Sequence, residues 1–300
     1  MAWQSAVAGL DAWTLARVLV ATGFHVCALM AVGSRLFLFA FPVLPPNEGA
    51  RVVRTGVIAA CVGFMLLMLQ WPLQAAYLGG EFAAAADPVL LGMVHDSPQG
   101  TRLLLGVGGL SLLLGSLSLR WRGSVPGWVL GLGGTAFMLL AFTQVGHTRG
   151  EPRALLATML FLHLLAIAFW AASLPPLWRV SRWRDPGLAS AVLDRFGRFG
   201  LIFVPALVAS GTVLAVVLLS GFGELFGSAY GQLLLAKLLL AVAVLGLGAL
   251  NKWHLVPSLP RHPHKAGAAL RRSITVEAAL MVGIVIVTAV FTTVASPGEA

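Results

Sequence analysis

The sequence predicts an all-α polytopic membrane bundle: eight transmembrane helices with both chain termini outside. Three observations predict it. Hydrophobic residues make up 58% of the 300 residues and charged residues only 10%, whereas about a quarter of a soluble domain is charged. Eight apolar runs approach the roughly 20 residues that a spanning helix needs. Basic residues are shared unevenly between alternate connections, as they are when they set membrane orientation. No sustained period-two alternation favours a β-barrel, and helices close their own backbone hydrogen bonds in lipid.

The runs fall at 13–34, 56–78, 101–119, 126–145, 154–174, 199–220, 230–250 and 274–294. Pro and Gly clusters punctuate them: "FPVLPPNEG" before the second, "RGSVPG" before the fourth, "LPPLW" closing the fifth and "VPSLPRHPH" after the seventh. Residues 1–145 hold the first four helices and 146–300 the last four, in a single membrane domain. The segment 79–100, "GGEFAAAADPVLLGMVHDSPQG", is the longest outer connection and is expected to form a short interfacial helix. The start, "MAWQSAVAGLDAW", has no basic n-region and does not read as a cleaved signal peptide. Cys27 and Cys61 both lie in apolar runs, so no disulfide framework is implied.

The connections after the first, third, fifth and seventh helices carry 15 of the 20 Lys and Arg residues. Most of the acids lie on the other side, including Glu81, Asp87, Asp96, Glu151 and Glu224. The basic connections are therefore expected in the cytoplasm. The net charge of +9 reads as an orientation signal and not as a nucleic-acid footprint.

Ionisable groups inside spans are costly and usually face the bundle interior. They reduce to His25, His163, Lys237 and Glu277, with His147 at an outer helix end. His25 lies beside the midpoint of the first run and His163 beside that of the fifth, so the two imidazoles share one depth. Met65, Met68 and Met138 lie at similar depth, and Met159 is one turn from His163 on the same helix face. Met93 and His95 sit in the outer segment. Imidazole with thioether suits copper: Met favours Cu(I), and imidazole serves either state. His147, Met93 and His95 would form an outer entry, His25 and His163 with a Met a midplane site. His254, His262 and His264 are available at the inner end. Each residue also has a plainer reading, because intramembrane His often bonds a neighbouring helix and Met mostly packs.

Lys237 either snorkels outward or pairs with a buried acid. Glu277 lies roughly 15 Å deeper by helical rise, too far for a direct salt bridge, and level with Asn251. An Asn251–Glu277 hydrogen bond is expected. Structural closure of the last three helices and a transport role fit these residues equally. "GVGG" at 106–109 and "GLGG" at 131–134 fall within spans and read as close helix packing, not phosphate cradles. No nucleotide loop, CxxCH haem attachment or HExxH zinc helix is present in the sequence.

Several segments together resemble the copper resistance protein D (CopD) family of bacterial inner-membrane proteins. They are "VGHTRG", "LHLLAIAFWAASLPPLW", "DRFGRFG", "SGTVLAVV", "FGSAYGQLLLAKLLL", "ALNKWHLVPSL" and "VEAALMVGIVIVTAVFTTVASP", with "HVCALMAVG" in the first helix. The family pattern W-L-G-G-L-P reads "FWAASLPP" here, with Ala171 and Ala172 (or Ala172 and Ser173) in place of the glycines; His163 and Trp170 are spared. The resemblance implies copper uptake across the inner membrane, in a non-enzymatic transporter with periplasmic termini. Copper, as Cu+ or Cu2+, would be the ion handled, and a periplasmic CopC-type protein the partner. It also implies structural or coupling roles for Trp170, Tyr230, Lys237, Asn251 and Glu277. The alternatives are a membrane redox protein, with b-type haem or copper on His25 and His163, and a copper-binding assembly factor that does not translocate.

Overall fold

The computed structural model describes residues 12–118, 123–146, 149–219 and 223–294. The described residues are almost entirely helical, and eight helices are long and apolar enough to cross a membrane. They are α1 (Ala12–Ala40), α2 (Pro46–Gly79), α3 (Pro98–Leu117), α4 (Val125–Phe142), α5 (Arg153–Val180), α6 (Pro186–Leu218), α7 (Ala229–Leu250) and α8 (Pro263–Val294). The chain is an all-α polytopic bundle.

Local chemistry fixes the starts. Asp87, Ser97, Ser124, Asp185 and Ser228 each cap a helix by accepting from backbone N–H groups in its first turn. Proline occupies the first turn of α2, α3, α4 and α6, where its missing N–H costs nothing. These signals lie outside the apolar runs, so the helices outgrow them. α2 starts at Pro46 and not at 56, α6 at Pro186 and not at 199, and α8 at Pro263 and not at 274. α1 runs on to Ala40. Most of the basic residues expected in connections therefore sit on helical extensions at one end of the bundle, called here the arginine-rich end. "LPPLW" does not end α5, which continues through Pro175 and Pro176 to Val180. Packed neighbours make prolines tolerable in such helices.

The segment 79–100 is ordered as a 3-10 turn, Phe82–Ala86, and a short helix, Pro88–His95. The Trp71 indole of α2 donates to the Leu91 carbonyl at 3.1 Å and ties that short helix to the bundle.

α1 and α5 lie at the centre. α1 packs on α2, α5 and α8, while α3 pairs with α4, α5 with α6, and α7 with α8. Glycines permit the closest approaches. A Cβ on Gly33 of α1 would fall 1.8 Å from the Ala168 carbonyl oxygen of α5. A Cβ on Gly109 of α3 would lie 2.7 Å from the Met138 nitrogen of α4, and one on Gly134 2.8 Å from the Leu113 nitrogen. The GVGG and GLGG runs are helix-packing seams, as expected. At the arginine-rich end buried Glu48 of α2 accepts from Arg179 Nε of α5 at 2.8 Å and from Arg51 at 2.9 Å. Buried Arg35 donates to the Gly127 carbonyl at 2.8 Å.

Candidate functional site

Two cavities lie one beyond the other along α5, α6, α7 and α8, the larger also bordered by α1, α2 and α3. The larger, of about 710 Å³, contains His25, His163 and Lys237 on its walls. It reaches from Arg17, Gln74 and Gln99, at the end opposite the arginines, down to Trp170. The smaller, of about 260 Å³, lies toward the arginine-rich end and is bordered by Asn251, Lys252, Trp253 and Glu277. Trp170 and Leu245 line both cavities and so form the partition between them.

The two histidines are held alike. His25 Nδ1 lies 2.5 Å from the Ala21 carbonyl, one turn back on α1. His163 Nδ1 lies 3.3 Å from the Leu207 carbonyl of α6 and 3.3 Å from Ser210 Oγ. A carbonyl only accepts, so in each neutral ring Nδ1 carries the proton and Nε2 keeps its lone pair. Metal-binding histidines are commonly oriented this way, the second ring nitrogen donating to a carbonyl. Gly211 makes room for His163, since a Cβ there would lie 3.1 Å from Cε1. The His25 ring packs against Phe142 at 5.0 Å between centroids.

Beyond the partition, Glu277 is 2% exposed. It accepts from Trp170 Nε1 at 3.2 Å and, in a close contact, from the Asn251 amide. Gly248 admits the indole: a Cβ there would sit 2.9 Å from Trp170 Cζ2. Asn251 opens a π-helical turn, Asn251–Leu255, at the foot of α7. Pro257 follows it and cannot donate to the Trp253 carbonyl, which accounts for the wider turn there. Lys252 Nζ donates to the Gly197 carbonyl at 2.8 Å and bridges to α6.

Residues 190–291 match the family model described as Copper resistance protein D. The chain thus contains a CopD-family segment, about a third of its length. It is 30% identical over 260 residues to Copper transport protein CutJ of Bacillus subtilis (strain 168), covering 83% of this chain and 46% of CutJ. It is 28% identical over 240 residues to Copper resistance protein D of Pseudomonas syringae pv. tomato, covering 75% of this chain and 76% of that protein. A third relative, Inner membrane protein YebZ of Escherichia coli (strain K12), is 33% identical over 138 residues, 43% of this chain and 46% of YebZ. The chain thus spans somewhat less than half the length of CutJ and of YebZ. No solved structure matches. The CopD segment takes in most of α6, all of α7 and most of α8. It therefore supplies Lys237, Asn251 and Glu277, while His25, His163 and Trp170 come from outside it.

The methionines proposed as ligands lie elsewhere than the cavity. Met65 is 70% exposed and Met68 is also exposed, on the face of α2 turned from the core. Met93 is exposed on the short helix, and His95 lies 6.2 Å from the Trp71 ring, also exposed. Met138 is fully buried in the core of the first half. Met159 shares the His163 helix face but does not border the cavity; Met281 of α8 does. His254, His262 and His264 are exposed and dispersed on the far end. His147 lies outside the described residues, as does the Tyr230 side chain. Among the described residues no three His, Cys, Asp or Glu side chains cluster as a resident metal centre.

CopD-family resemblance did not draw attention to Arg102, Gln70, Gln74 or Gln99, all of which line the large cavity. The signals were present. Arg102 falls inside the run 101–119, where a charge is costly. Gln70 and Gln74 stand one turn apart in α2 and continue the face of Gly63 and Leu67.

Proposed function

We propose that this protein carries copper inward across the bacterial inner membrane, as a multi-pass transporter and not as an enzyme. His25 and His163 are the ligands that receive the ion within the large cavity. The observation behind this reading is the shared anchoring of the two imidazoles: each gives Nδ1–H to a carbonyl and leaves Nε2 available inside one cavity. The names of the CutJ and Pseudomonas relatives support copper as the cargo.

In this reading the large cavity faces the periplasm, the arginine-rich end faces the cytoplasm, and both termini are periplasmic. His147, Met93 and His95 meet the incoming ion, handed over by a periplasmic CopC-type donor. Met159, Met65, Met68 and Met138 have at most a passing part, given where they sit. Trp170 and Leu245 close the path, and Glu277 lies directly behind them. Moving the indole breaks its bond to Glu277 Oε2, so opening the partition and releasing that oxygen are one event, while Oε1 stays on the Asn251 amide. Lys237, Asn251 and Tyr230 complete the coupling set.

Radiocopper uptake into proteoliposomes tests the ligand assignment. His25→Ala with His163→Ala should abolish saturable uptake; undiminished uptake would sink the midplane site. Stoichiometric copper binding without uptake would make the protein a binding or assembly factor. A b-type haem is the second reading, because the same two free Nε2 atoms in one large cavity suit bis-imidazole ligation. A Soret band in the purified protein would favour it.

A further inference from the structure

We propose that the large cavity admits copper as a compact anionic chelate bearing carboxylates, and not as a bare or aquated cation. This rests on the copper reading above. The walls carry Arg17, Arg102 and Lys237, and among the described side chains no carboxylate lines the cavity. Arginine stays charged under all ordinary conditions. Lys237 and Arg102 line the same cavity as the two imidazoles. A free metal cation at the two Nε2 atoms would therefore sit among like charges with water largely excluded. The same arrangement attracts an anion, as rings of Arg and Lys do in anion-selective pores.

Unused donors point the same way. Arg102 is 9% exposed, and its buried Nε has no partner among the described residues, while its Nη1 donates to Gln99 Oε1 at 3.4 Å. Buried Gln70 Nε2 also lacks a partner. Lys237 forms no hydrogen bond or ion pair among the described residues. Buried unsatisfied donors are costly, and an acceptor-only anion satisfies several at once. The volume fits too. About 710 Å³ lies within the range of small-molecule sites, roughly 300–1,000 Å³, whereas a single ion needs little more than the space of one water. The Nε2 atoms would displace chelator atoms from the metal while the released carboxylates pair with Arg102 and Lys237. Copper keeps its oxidation state throughout.

The full-length protein in phosphatidylcholine liposomes, free of anionic headgroups, provides the test. Radiocopper is supplied at one fixed free concentration, buffered either by citrate, which gives an anionic complex, or by histidine, which gives a neutral one. Uptake from citrate should exceed uptake from histidine by about tenfold, the factor of one charge-assisted hydrogen bond. Lys237→Met should bring that ratio close to one, and Arg17→Gln, at the mouth, serves if Lys237→Met does not fold. Equal rates from both buffers in the unaltered protein overturn the proposal and leave the copper reading standing. Absence of saturable uptake from either buffer, with the double histidine variant no different, removes the copper reading instead. Equilibrium dialysis of copper citrate then decides: binding weakened about tenfold by Lys237→Met supports the anion site, and no binding overturns it. Stoichiometric haem, or an anionic phospholipid that co-purifies and is lost in Lys237→Met, also overturns it, since the cations would then hold propionates or a headgroup.

Discussion

The pair α3–α4 and the pair α6–α7 are both built from apolar, glycine-containing sequence, the second pair the more apolar, yet they pack in opposite ways. In α3 and α4, 44% of the most apolar stretch is buried; in α6 it is 11% and in α7 only 6%. Gly109 and Gly134 bring the α3 and α4 backbones together where no Cβ would fit. α6 and α7 instead meet chiefly through the turn at Asn251–Leu255 and the short helix Val256–Ser258. Above that hinge they diverge around the His25–His163 cavity. At Gly200 of α6 and Gly246 of α7 an added Cβ would touch nothing within 4 Å. The first pair is scaffold. The second is open around Gly200 and Gly246, while its Gly211 and Gly248 make room for the His163 and Trp170 side chains.

The largest effect expected from this contrast is at the α3–α4 seam. Gly109→Ala forces a methyl onto the Met138 backbone at 2.7 Å and the Gly134 carbonyl at 3.1 Å, neither of which is a flexible side-chain tip. Overpacking of this kind costs about 1–3 kcal/mol. A thermal-unfolding comparison in detergent should show a clear fall in midpoint, with the fall repeated in Gly134→Ala. An unchanged midpoint would mean that the two helices can separate freely, and the scaffold description would fail.

How far the sequence reveals this follows from what a span's composition encodes. Helix number is legible because burial of eight apolar runs in lipid admits few other solutions. Helix ends are less so: one apolar window stops before Arg35 and the next starts after Arg54, while the helices run on to Ala40 and back to Pro46. Residue count sets His25 and His163 level, and both line one cavity. Rotation about the helix axis is harder. Met65 has a suitable depth and points away from the core, because Gly56, Ala59, Ala60, Gly63 and Leu67 form the packed face of α2. That small-residue stripe at helical spacing was readable and would have placed Met65 and Met68 on the opposite side. The Asn251–Glu277 bond was legible because both residues are polar at one level. The Trp170 donor was not, since an indole in an apolar run reads as packing until its ring direction is known.

A smaller effect is expected where the loose pair touches the partition. Gly248→Ala puts a methyl 2.9 Å from Trp170 Cζ2. The indole is a side chain and can shift, so the global midpoint should move little. Its bond to Glu277 should weaken by about 1 kcal/mol, and copper uptake should change several-fold. Trp170→Phe, which lacks the donor, should change uptake in the same direction. If Gly248→Ala lowers the midpoint as Gly109→Ala does, α7 is scaffold after all and the contrast between the pairs disappears.

The smallest effect has the opposite sign. Gly246 lies two residues away in the same helix, with nothing near enough to meet a methyl. Gly246→Ala therefore meets no steric cost, while alanine is favoured over glycine in a helix interior by about 0.8–1.0 kcal/mol. The midpoint should hold or rise slightly. One chemical change, glycine to alanine, is thus expected to destabilise α3, to perturb function at Gly248 and to stabilise α7 at Gly246. That order depends only on what each Cβ would touch, so a reversal between Gly109 and Gly246 would show that helix propensity and not interhelical contact governs stability in this bundle.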